Sequence, residues 1–83
     1  MDQNITGHQI AAGRVLVDMT QKQLAEAAKI SIPTLKRMES VKGEAVALSN
    51  NVRAVRAALI EAGVLFIDQN GNGPGVRLRD RQD

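Results

Sequence analysis

The stretch TQKQLAEAAKISIPTLKRMES, Thr20 to Ser40, constrains the fold most, because two helix-start signals fall so close together that only two short helices and a tight turn fit between and behind them. Thr20 followed three residues later by Gln23 is a capping box: the hydroxyl accepts an orphan N–H and the glutamine reaches back to the cap. A helix is therefore expected from about Gln21. Leu24 and Ala28 share a face with Ala25 beside them, which leaves Lys22, Gln23, Glu26 and Lys29 exposed. Alanines on the buried stripe let another helix come close, as a sharp helix corner requires.

The turn Lys29-Ile30-Ser31 ends in a good cap for a second helix, and Pro33 falls in the first turn, where a missing N–H is least costly. Ile32 is the alternative cap, because a residue before proline avoids the α region. Leu35 and Met38, at i and i+3, should face the core. Pro33, Thr34, Lys36 and Arg37 are then largely exposed and form a candidate reading surface.

The flanks extend this unit. Thr6-Gly7-His8-Gln9 is a second capping box, and Ile10, Val15, Leu16 and Val17 continue an apolar stripe to about Val17. Gly13 inside that helix costs roughly 1 kcal/mol against alanine, which is explained if another helix crosses closely there. His8, the single histidine, reads as a solvated first-turn residue. After the motif, Val41-Lys42-Gly43-Glu44 reads as a helix end. Ser49-Asn50 cap a helix whose apolar face is Val52, Val55, Ala58, Leu59 and Ala62, ending at Gly63. Arg53 and Arg56 are placed on its opposite, exposed side, either as phosphate contacts or as solvated arginines.

From Val64 the period changes to that of a strand. Val64-Leu65-Phe66-Ile67 is an apolar run, Gln69 to Gly75 is a turn, and Val76-Arg77-Leu78-Arg79 alternates strictly, so the end of the chain reads as a β-hairpin. Val64 with Phe66 occupy one face and Leu65 with Ile67 the other, more apolar surface than one copy is expected to bury. A lone hairpin is also marginal in water. A homodimer joined through Val64, Leu65, Phe66, Ile67, Val76 and Leu78 answers both problems; a hairpin folded back on its own helices is the alternative.

Composition places the chain among small globular domains. It has 83 residues, 43% of them hydrophobic and 24% charged, and no cysteine, so no disulfide framework or thiolate metal site is expected. No apolar run approaches the roughly 18 residues of a membrane helix, and the start MDQNITGHQI lacks signal-peptide features. A cytoplasmic, nucleoid-associated location is the expectation, with no membrane partner. The net charge is only +2, yet Arg14 to Arg56 holds eight basic residues against four acidic ones. That excess over the motif favours a polyanionic partner.

Gln21, Leu24-Ala25, the three-residue turn, Thr34-Leu35 and Arg37-Met38-Glu39 together resemble the lambda-repressor-like, or Xre-type, helix-turn-helix regulators, over roughly Ile10 to Ala58. The resemblance implies a mostly α, compact four- to five-helix lambda-repressor-like DNA-binding domain, to which this chain adds the C-terminal β-hairpin read above. Residues 1–63 would be the helical helix-turn-helix domain, and residues 64–83 a β-hairpin dimerisation element and tail of that domain. It implies base reading by Ile32, Pro33, Thr34 and Arg37, phosphate contact by Gln21 and Ser31, and an ion pair between Arg14 and Glu39. Lys22, Lys36 and Lys42 join the phosphate contacts by charge. Two departures are Lys29, where many relatives carry glycine, and the apolar Ile32-Pro33. Van der Waals contact, for example with a thymine methyl, is the role left to that pair.

Other chemistry finds no support. The NGNGPG loop has the glycines of a phosphate cradle but leads into a strand-like VRLR rather than a helix. No nucleophile has a nearby base and no residues have metal-ligand spacing, so neither an enzyme, nor a metal, nor a cofactor is expected. The functional expectation is a sequence-specific dimeric DNA-binding transcriptional regulator, a repressor on a palindromic operator. The alternative is an antitoxin or antiactivator-type module that uses the helices or the apolar strand to hold a protein partner. A nonspecific architectural protein is the third reading.

Overall fold

The computed structural model describes residues 5–41, 50–67 and 73–80. Four helices, α1 (Gly7–Leu16), α2 (Gln21–Ala28), α3 (Ile32–Glu39) and α4 (Asn50–Ala62), precede strands β1 (Val64–Ile67) and β2 (Gly75–Leu78). The chain is thus small, compact and mostly helical with a C-terminal antiparallel hairpin; four helices, not five, are present among the described residues. None of those helices is long and apolar enough to cross a membrane. The expected helix end at Lys42 to Glu44, the cap at Ser49 and the turn from Gln69 to Asn72 lie outside the described residues.

Local chemistry sets the helix starts where the sequence places them. Thr6 and Thr20 each accept the N–H of the glutamine three residues on at 3.0 Å, and each glutamine carboxamide accepts the threonine N–H at 2.8 Å. Both capping boxes are complete. Ser31, in extended backbone, caps α3, so Ile32 is its first helical residue and Pro33 its second. Ile32 takes a helical conformation despite the following proline because it packs against the core while the Ser31 hydroxyl holds the Thr34 N–H.

The core is a single cluster. Ile10, Leu24, Leu35, Val52, Val55, Leu59 and Val64 are its largest fully buried side chains, with Ala25, Ala28 and Met38 beside them. Two expected members fall elsewhere. Val15 is 63% exposed, because five residues at 100° each carry it about 140° round α1 from Ile10. Ala62 is exposed at the end of α4. Arg56 also departs from expectation: it is half-buried on the flank of α4 that faces the hairpin, its guanidinium 5.6 Å from the centre of the Phe66 ring, a cation–π distance.

The hairpin pairs Val64 with Leu78, Leu65 with Arg77, Phe66 with Val76 and Ile67 with Gly75. Directly opposite residues share a face, so Val64, Phe66, Val76 and Leu78 form one face and Leu65, Ile67 and Arg77 the other. The first face folds back onto the chain's own helices: Val64 is fully buried, and Phe66 and Val76 pack against the core. Gly13 permits this approach. A Cβ there would lie 3.2 Å from the Val64 side chain and 3.6 Å from that of Leu59, so the close neighbour is first a strand and only then the expected helix. Gln9, almost fully buried, fastens the hairpin by donating from Nε2 to the carbonyls of Ile67 at 3.2 Å and Gly75 at 2.9 Å. The outer face stays open, with Ile67 43% exposed.

Two backbone positions give stability predictions of opposite sign. Lys29 closes α2 in the left-handed region at φ 60° and ψ 45°, where a Cβ costs about 1 kcal/mol or more. Lys29→Gly should therefore raise stability by about 1 kcal/mol and Tm by roughly 4–8 °C; an unchanged or lower Tm by calorimetry would contradict it. At Gly7 a Cβ would stand 2.7 Å from the Val41 carbonyl oxygen and closer still to that of Met38. Gly7→Ala should cost about 2 kcal/mol or more, because backbone, not a flexible side chain, must give way.

Candidate nucleic-acid interface

The helix-turn-helix is built around the Glu39 carboxylate at the end of α3. Arg14 of α1 grips it bidentately, Nε to Oε2 at 2.9 Å and Nη2 to Oε1 at 3.1 Å, and Arg14 Nη1 donates to the Met19 carbonyl at 3.1 Å. Gln21, the first residue of α2, donates from Nε2 to Glu39 Oε1 at 3.0 Å. One carboxylate thus links all three helices. The two charged side chains are only 18% and 8% exposed, so the fork geometry operates with little solvent to weaken it. The resemblance pointed to the Arg14–Glu39 pair, but the contribution of Met19 carried no signal in the sequence.

This node fixes what α3 presents. Leu35 and Met38 are buried beneath the helix, while Pro33, Lys36 and Arg37 are exposed and Thr34 is half-exposed. Ile32, also counted among the base readers, is half-buried and packed against the core. It lies about 100° round the helix from Pro33, which carries it to the edge of the buried side. Ser31 is exposed, but its hydroxyl accepts the Thr34 N–H at 3.2 Å and lies 2.7 Å from Thr34 Oγ1. The candidate phosphate and base contacts are therefore bonded to one another.

Lys22 on α2, Lys36 and Arg37 on α3, and Arg53 on α4 are exposed. The two salt bridges among the described residues, Arg14–Glu39 and Arg79–Asp80, involve none of them. Lys42 lies outside the described residues. Among those residues no group of three or more acidic or histidine side chains is placed to hold a metal ion, and His8 is exposed. Of the residues assigned to dimerisation, Val64 is committed to the chain's own core, Phe66 and Val76 are half-buried against it, Leu65 and Leu78 are half-buried, and Ile67 is exposed. The hairpin surface left for another molecule is the Leu65–Ile67 face.

Breaking a buried pair by removing one partner typically costs 3–5 kcal/mol, whereas an apolar replacement of both is far milder. With part of this pair still reached by solvent, Arg14→Met or Glu39→Met alone should cost about 2–4 kcal/mol. The double substitution should recover at least half of the summed loss in a denaturant-melt cycle. Strictly additive losses would show that the pair is not coupled.

Comparison with protein-family models and with curated proteins returns no match to this chain.

Proposed function

We propose that the chain is a sequence-specific DNA-binding transcriptional regulator of the lambda-repressor-like, Xre-type class, a homodimer that acts in the nucleoid as a repressor on a palindromic operator. One observation carries the reading: α3 is held at its C-terminal end by α1 and α2 through Glu39 and turns Pro33, Lys36 and Arg37 to solvent, with Lys36 and Arg37 in no salt bridge among the described residues. A short helix fixed against a scaffold, with free cations on its outer side, suits entry into a major groove. Arg37 is the base reader, bidentate to guanine; Lys22, Lys36, Gln21 and Ser31 position the helix on phosphates.

The dimer gives the open Leu65–Ile67 hairpin face a partner. One chain measures 32 × 32 × 21 Å, so two copies side by side are commensurate with the roughly 34 Å between successive major grooves on one side of the duplex. The same exposed face favours the second reading, an antitoxin or antiactivator that docks another protein there. Sedimentation together with duplex binding tests a pure interaction module, which is monomeric until its partner arrives and leaves duplex DNA unbound; an antitoxin that also binds DNA survives both results.

Selection from a random duplex pool at low and near-physiological salt tests the first reading. An enriched palindrome with half-sites about one helical turn apart is the expected result; binding that disappears with salt and enriches nothing would sink it. On the selected site, Arg37→Ala should cost about 1–3 kcal/mol and relax preference at one base pair per half-site, while Lys36→Ala should weaken specific and scrambled DNA alike. Equal losses on both DNAs for Arg37→Ala would remove Arg37 as a reader.

A further inference from the structure

We infer that α3 distinguishes its site by the 5-methyl groups of thymine, met by Pro33 and Thr34 beside a guanine taken by Arg37. This rests on the DNA-binding reading above. In the major groove, adenine is read best by the carboxamide of Asn or Gln, cytosine by a carboxylate and guanine by Arg or Lys, and thymine alone offers a methyl group. The exposed and half-exposed positions of α3 are Ile32, Pro33, Thr34, Lys36, Arg37 and Glu39. They include no carboxamide. The one carboxylate, Glu39, is occupied by Arg14 and Gln21. The helix therefore carries no bidentate reader for adenine and no free carboxylate for cytosine, and its strongest polar reader, Arg37, selects guanine.

What remains is apolar, and the structure says which atoms it includes. Ile32 packs on the core. Pro33 sits on the outer side, one turn from Arg37 at i and i+4, and as a proline inside the first turn it offers only CH2 groups. Thr34 Oγ1 is held 2.7 Å from the Ser31 hydroxyl, which also caps the Thr34 N–H. With Oγ1 engaged at the cap, the methyl is the group at the end of the Thr34 side chain that has no hydrogen-bonding role there. Pro33 and Thr34 are then an apolar pair next to the guanidinium of Arg37, matched to thymine next to guanine.

The experiment replaces thymine by deoxyuridine in the half-sites of the selected duplex, which preserves pairing and removes only the methyl. Wild-type protein should lose about fourfold in affinity for each contacted methyl, with no loss for replacements outside the half-sites. Pro33→Ser, whose exposed first-turn position tolerates serine, should bind thymine and deoxyuridine half-sites with affinities closer together while keeping the guanine preference. An enriched site without thymine, or one bound equally with deoxyuridine, overturns the methyl inference and leaves the regulator reading standing. A pool that enriches nothing overturns both.

Discussion

Everything α3 can do depends on the carboxylate of Glu39. An eight-residue helix is far below the length at which helices persist alone in water, and α3 has only Leu35 and Met38 fully committed to the core. Those two side chains, with Ile32 packed beside them, set which face of the helix is buried. The Arg14 fork and the Gln21 amide meet Glu39 from α1 and α2, and a planar fork on a planar carboxylate fixes direction as well as distance. The net stability gained is modest, because both ions are partly desolvated. Orientation is what the arrangement supplies, and orientation decides which side chains α3 presents.

The hairpin solves a different problem in the same way. Two four-residue strands are marginal by themselves, so the chain ties them to α1 with the buried Gln9 amide and brings Val64 over Gly13. A side chain at residue 13 would push Val64 outward, and without Gln9 two hairpin carbonyls would lose a buried donor. Only one face of β1 is secured by these contacts. On the other face Leu65 is half-buried and Ile67 is exposed.

The sequence made the fold legible wherever a local rule and the core agreed. Thr6, Thr20 and Ser31 started helices where capping chemistry places them, and the change from helical to strand period located β1 and β2. It was less informative where a tertiary neighbour decides the outcome. Val15 looks like core by composition but lies on the wrong side of α1, and Arg56 looks solvated by helical phase but is drawn over Phe66. The second duty of Gln9 had no local signature, because its partners lie some sixty residues away in sequence. At the candidate site the outward set Pro33, Lys36 and Arg37 was legible from phase alone. The retreat of Ile32 and the bond between Ser31 and Thr34 required packing and rotamers that no periodicity records.

On the proposed reading, the sparseness of that surface bears on how the protein must work. A regulator has to favour its site over at least about a million others, a preference of about 8 kcal/mol. One α3 offers a single bidentate reader, worth about 1–3 kcal/mol, and a few apolar contacts at about 0.8 kcal/mol for each methyl group. A lone chain thus falls well short of the requirement, while two chains on a two-fold site approach it. The poverty of polar readers on α3 and the partly open Leu65–Ile67 face of the hairpin are then two sides of one design, in which a recognition surface too small to act alone is carried by a chain with an apolar face left for its second copy.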